Sequence, residues 1–138
     1  MARTEGRPDM ALKRMDNVLI VVEDIDAVIA FFVELGMELD GSRGPVEGSW
    51  VERVIGIAGV RQDVAMLRLP DGPGRIELAQ FHAPAAIRSE PAVAPANTLG
   101  IRRVMFAVDD IDGMVARLRA HGAELIGEMQ YGDTYRLA

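Results

Sequence analysis

The 138-residue sequence contains no cysteine. Disulfides, a thiolate-held metal and a cysteine nucleophile are therefore excluded. Basic charge is also short: 15 Lys and Arg against 21 Asp and Glu leave a formal net charge of −6. A chain of that sign has no positive field with which to displace phosphate counterions, so nucleic acid is not its main partner. Apolar runs such as Val18–Val22 are far too short to span a membrane. The opening MARTEGRPDMALKR is polar and has no apolar h-region, so the sequence reads as a soluble cytoplasmic domain without a secretory leader. Neither a serine-centred nucleophile elbow nor a phosphate-cradling glycine loop occurs. What is present is ordinary for a globular protein, with 49% apolar and 26% charged residues. That composition suits one compact domain and argues against wholesale disorder.

The sequence then repeats itself. VLIVVEDIDAVIAFFVELGMELDG, from Val18, aligns without a gap on VMFAVDDIDGMVARLRAHGAELIG, from Val104, at an offset of 86 positions. Ten of the 24 positions are identical, among them Asp24/Asp110, Ile25/Ile111, Asp26/Asp112 and Gly36/Gly122. Two unrelated amphipathic segments would share a few matches, not ten in register. These are two copies of one supersecondary unit.

Each copy has the same physical grammar. A β-rich run, Asn17–Val22 or Arg103–Val108, predicts a strand. Asp24 or Asp110 then caps a helix whose positive end favours a carboxylate. Apolar residues follow at helical spacing: Val28, Ile29, Phe32 and Leu35 in the first copy, Ile111, Met114, Val115 and Leu118 in the second. Gly36 and Gly122 stand where a left-handed C-terminal cap is expected, with a second strand directly after. In the first copy, 63–69 and 75–81 predict a hairpin around Asp71-Gly72-Pro73-Gly74. The unit is strand, helix, three strands.

Between the second strand and the hairpin, Ser49-Trp50-Val51-Glu52 has capping-box spacing and predicts a short helix to about Ile57. Its apolar face would be Trp50, Val54 and Ile57, either packed on the sheet or closing over a pocket. Residues 83–99, with Pro84, Pro91 and Pro95, read as a linker. The organisation is then a tail (1–14), a first unit (15–82), the linker (83–99) and a second unit (100–138), one domain overall.

The doubled unit, with VxDID after the first strand and IELAQF on the fourth, resembles the vicinal oxygen chelate superfamily. That group includes glyoxalase I, extradiol dioxygenases and the bleomycin and fosfomycin resistance proteins. The resemblance runs from about Met15 to Ala138 and implies an α+β fold in which two tandem βαβββ modules pair their sheets into a cup. It also implies chemistry inside the cup, usually at a divalent metal held by His and Glu. The family's ligand positions fall on Asn17, Glu77 and Arg103, with a fourth near position 163, beyond the sequence. The repeat independently makes Asn17 and Arg103 equivalent. Where metal-binding relatives commonly carry His, an amide and a permanent cation stand here, and only Glu77 keeps the expected type. Arg has no acceptor and Asn only a weak carbonyl oxygen, so no metal is expected, with Glu77 the one ligand if Zn, Ni, Fe or Mn binds.

Strand alternation puts Leu19 and Val21 on the face of Asn17, and Met105 and Ala107 on that of Arg103. The expected ligand-binding set is Asn17, Glu77, Arg103, Trp50 and Met105. Within it, Glu77 and Arg103 are either a buried ion pair closing a vestigial site or the catalytic pair, Arg103 holding an anionic or carbonyl-bearing ligand and Glu77 orienting it or acting as base. His82 is read as a loop residue after the fourth strand, and His121 as a cation at a helix C-terminus. Tyr131 and Tyr135 either reach the cup or pack beside it.

The leading function is a small-molecule-binding or catalytic domain whose metal site has been lost or remodelled. Its rivals are a metal-dependent lyase of the glyoxalase type or an extradiol dioxygenase, and a non-enzymatic, ligand-sequestering homodimer using Trp50 and apolar strand faces. The resemblance also implies a homodimer, and an incomplete second unit, which leaves strand edges to cover, makes that expectation more pressing. The offset projects the second unit to about residue 168, so the sequence is read as stopping inside that unit.

Overall fold

The computed structural model describes residues 12–133 and 136–138. The chain runs β1 (Val18–Val21), α1 (Ile25–Leu35), β2 (Glu38–Leu39), β3 (Gly44–Glu47), α2 (Ser49–Ile55), β4 (Arg61–Arg68), β5 (Arg75–Ala83), α3 (Ile111–Ala120), β6 (Gln130–Tyr131) and β7 (Arg136–Leu137). It is an α+β fold built on one mixed sheet of order β1-β5-β4-β2, with β3 also on β4. β1 is parallel to β5, and the remaining ladders of this sheet are antiparallel.

Local chemistry explains the first half well. Asp24 accepts from the Ala27 N–H at 3.1 Å and starts α1. Gly36 ends it at φ 118°, a left-handed position that favours glycine, with its N–H on the Val33 carbonyl at 3.0 Å. The β4–β5 hairpin closes where the Leu69 N–H meets the Gly74 carbonyl at 3.0 Å. β2 and β3 are two pieces of one edge: both pair with β4, and Asp40 donates to the Met66 carbonyl at 2.7 Å between them. The expected single second strand is thus broken after Asp40, and Gly41 there has φ 78°.

One face of the sheet is covered by α1. Ile25, Phe32 and Met37 pack on Ala65 and Leu67 of β4 and on Ile76 and Leu78 of β5. Leu67, Leu78 and Ile25 are fully buried, each worth about 1.5–3 kcal/mol of apolar transfer. A second, polar tie holds α1 down: the Ile25 N–H donates to the Gln80 Oε1 at 3.0 Å. Gln80 occupies a helix-side position of β5 and satisfies a donor that a helix start leaves open.

The short helix departs from expectation. Gly48, not Ser49, is the N-cap, and no side chain caps it. Glu52 instead reaches forward, its Oε1 accepting from the Gly59 N–H at 2.8 Å. Val51 is buried while Trp50 and Val54 are exposed, so the helix packs through a residue that the expected stripe left out.

The second copy forms its helix and, in place of a full sheet, only the short antiparallel ladder of β6 and β7. Asp110 caps α3 by accepting from the Gly113 N–H at 3.0 Å, the same device as in α1. Residues 103–108, expected as a strand, pair with nothing among the described residues, and no strand follows directly after Gly122. The reason lies in β1, which is held in the first copy by β5, a strand more than fifty residues later. No described strand stands in the corresponding place beside residues 103–108. α3 buries no residue fully and is tied to α1 by an Arg117–Glu34 ion pair of 2.8 Å, while Phe106, in the segment before it, meets the Phe32 ring of α1. No described helix is long and apolar enough to cross a membrane.

Candidate functional site

Residues whose side chains alternate away from α1 make the other face of the sheet. On β5 these include Glu77 and Ala79, on β1 Leu19 and Val21, on β4 Val64 and Met66. Register fixes their neighbours: Glu77 lies between Leu19 on one side and Met66 on the other, and Ala79 between Val21 and Val64. Leu19 is 51% exposed and Val21 50% exposed, so this wall of the sheet is open. Glu77 is half-buried, and among the described residues it makes no ion pair and no side-chain hydrogen bond. A carboxylate set among Leu19, Met66 and Ala79 is the one charge near the middle of an otherwise apolar surface, the usual composition of a small-molecule site.

Asn17 precedes β1 and is half-buried. Its Nδ2 donates to the Asp16 Oδ2 at 2.9 Å. Asp16 also accepts from the Arg75 Nη2 at 2.6 Å and the Arg14 Nη2 at 3.1 Å. Arg75 first, then Asn17 and Arg14, hold the Asp16 carboxyl below its ordinary value. Asp16 first, then Asp40, whose Oδ2 lies 3.5 Å from the Arg75 Nη1, in turn raise the Arg75 pKa. Asn17 is therefore fixed in an ionic cluster at the start of β1.

Arg103 lies beyond the other edge of β1. A groove of about 360 Å³ separates β1 from residues 101–104, and Arg102 and Arg103 line it. Arg103 is exposed and has no ion-pair partner among the described residues, so the Glu77–Arg103 pair weighed from the sequence is not formed. β1 stands between the two side chains. Met105 falls elsewhere, against Met15, Met37 and Phe106 around a cavity of about 190 Å³. Trp50, 58% exposed on α2, does not line the groove. The structure thus gathers Asn17, Glu77 and Arg103 around β1 and leaves Trp50 and Met105 apart. Tyr131 donates from its hydroxyl to the Asp112 Oδ1 at 2.6 Å, which raises its pKa. Tyr135 lies outside the described residues.

The donor set decides what these residues can hold. Among the described residues, no three His, Asp or Glu side chains are placed to share one metal ion. Asn17 spends its amide nitrogen on Asp16, Arg103 offers only donors, and Glu77 is a single carboxylate. This set does not fit a divalent transition metal.

A polar cluster absent from the sequence reading sits near the start of α1. Arg43 pairs with Asp26 and, at 3.3 Å, with Asp63, whose Oδ2 also lies 3.3 Å from the His82 Nε2. Asp26 raises the Arg43 pKa further. His82 is not a loop residue. It belongs to β5, where the register slips between Arg61↔Ala83 and Gln62↔Phe81 and leaves His82 as the extra residue of a bulge. The only signal for this in the sequence is a His continuing an alternating strand.

A mixed sheet with one face under a helix and the other carrying a lone carboxylate defines an α+β domain with one open sheet face. The comparisons with known proteins make this specific. The sequence matches the profile of the Glyoxalase/Bleomycin resistance protein/Dioxygenase superfamily over residues 14–137. A glyoxalase family protein from Bacillus cereus, known from its crystal structure, is 49% identical with a TM-score of 0.85, covering 98% of this chain and 87% of that one. The crystal structure of SMU.1112c is 20% identical over 89% of this chain and 84% of that one, with a TM-score of 0.45. None of the curated proteins matches the chain. The chain belongs to the Glyoxalase/Bleomycin resistance protein/Dioxygenase superfamily.

Proposed function

We propose that the chain is a glyoxalase-superfamily domain that binds a small molecule on the open face of its sheet, with the metal site lost or remodelled around Asn17, Glu77 and Arg103. The observation that carries this reading is the setting of Glu77. It is a half-buried carboxylate flanked in register by Leu19 and Met66, without a paired cation among the described residues. Its carboxylate is open to water, so a ligand that donates a hydrogen bond takes the place of water on it. Glu77 orients the bound molecule and stands ready as a general base, and Leu19 and Met66 beside it offer the ligand apolar contact.

Expression with added Zn, Ni, Fe or Mn followed by elemental analysis tests the reading. The expected result is substoichiometric metal, unchanged in Glu77→Ala. One equivalent of a metal that disappears in Glu77→Ala would overturn it and favour a metal-dependent lyase or dioxygenase.

A further inference from the structure

The groove beyond β1 has a chemistry that the setting of Glu77 does not explain. One wall is β1, an edge strand paired only with β5, whose Leu19 and Val21 offer apolar surface. The opposite wall is formed by residues 101–104, with two guanidinium side chains, Arg102 and Arg103, in succession. Arg102 turns its Nε to the Ile101 carbonyl at 3.0 Å. Arg103 has no such partner among the described residues. Arg53, Arg61, Arg119 and Arg136 also lack an ion-pair partner among the described residues, but Arg103 is set apart by its place on the groove beside β1. An exposed planar cation at the rim of a groove walled by apolar side chains complements a carboxylate, which guanidinium binds through two parallel hydrogen bonds.

We propose that this groove takes the head of a small amphipathic carboxylate, whose apolar body crosses β1 over Leu19 toward Glu77. The inference rests on the reading of the open face as a binding site and names the class of its ligand. Polarity is set at both ends. Glu77 repels a second anion and accepts from a neutral donor, so the carboxylate lies at Arg103 and an uncharged or hydrogen-bond-donating end lies at Glu77. Length is set by the sheet. From the groove across β1 to β5 is about two strand spacings, roughly 10 Å, which an aliphatic chain of about eight carbons spans. Dicarboxylates and bulky polyanions are disfavoured by the same geometry.

The test is titration of the full chain with octanoate, octanol and octylammonium, followed by isothermal calorimetry and by amide chemical shifts of Val18–Val21 and Arg75–Ala79. The expected result is octanoate binding at least tenfold tighter than either analogue, with shifts on both β1 and β5. Arg103→Gln removes that preference and Arg103→Lys keeps part of it, while the melting temperature of each variant stays at the parent value because Arg103 is exposed. Octanol binding as tightly as octanoate, with shifts on β1 and β5 and no response to Arg103→Gln, would overturn the carboxylate class and leave the open-face site standing. No shifts on either strand with any of the three would overturn the inference and the open-face reading together.

Discussion

Ile25 and Ile111 are the same residue at equivalent places in the two copies, and they meet different surroundings. Ile25 is 1% exposed, packed between α1 and the sheet. Ile111 is half-buried and lines an apolar cavity of about 330 Å³ between α1 and α3. Ile25→Ala removes the transfer energy of the deleted carbons and leaves a void in a close-packed core, for a loss of about 3–4 kcal/mol. Ile111→Ala removes carbons that are only half withdrawn from water and enlarges a space already empty. At about 0.8 kcal/mol per fully buried methylene, that loss is about 1 kcal/mol. Urea unfolding followed by circular dichroism measures both, provided the slope with denaturant stays constant. Losses equal to within about 0.5 kcal/mol would refute the conclusion that only the first copy owns a complete core, because that conclusion makes the difference several-fold.

The caps are predicted to behave in the opposite way. Asp24 and Asp110 accept from the N–H of the third following residue at 3.1 and 3.0 Å, so Asp24→Ala and Asp110→Ala each cost about 1 kcal/mol in the same urea assay. A cap loss confined to one helix would contradict the equivalence. Asp16 supplies the pH dependence. Arg75, Asn17 and Arg14 lower its pKa below 3.8, so its contribution to stability is complete above 3.8 and is lost as pH falls through the lower folded-state value. Carbon NMR of the Asp16 carboxyl reads that midpoint, which Arg75→Gln moves back up toward 3.8; a midpoint that does not move would show that Arg75 is not the cause.

How much was legible in the sequence depends on the range of the interaction. The Asp24 and Asp110 caps, the left-handed Gly36 and the β4–β5 hairpin are decided within a few residues, and each is where the pattern placed it. The repeat carried the family resemblance for the same reason, since identical residues at a fixed offset need no tertiary knowledge. Interactions between distant segments were not legible. Residues 103–108 have the composition of β1, but a strand exists only with a partner, and composition does not report one. Trp50 and Val54 made the more apolar-looking stripe of α2, yet the contact is made by Val51, because the side facing β3 is set by where Gly48 turns the chain. The His82 bulge and the Gln80 tie to α1 each pair a polar residue of β5 with a group on another element, which alternation within one strand cannot reveal. For the site, the repeat and the resemblance brought Asn17, Glu77 and Arg103 into consideration. The structure supplied the fact that β1 stands between the last two.

The position of β1 also bears on the order in which the sheet assembles. Leu69 and Gly74 close the hairpin within a turn, whereas Val18 meets Ile76, and a loop of that greater length costs on the order of 2 kcal/mol more in chain entropy to close. The hairpin is thus a local event, and β1 is recruited to an edge that must already exist. The strand that forms one wall of the groove is the costliest part of the sheet to bring home. Whatever settles against β1 repays part of that closure entropy, and so couples occupancy of the groove to completion of the fold.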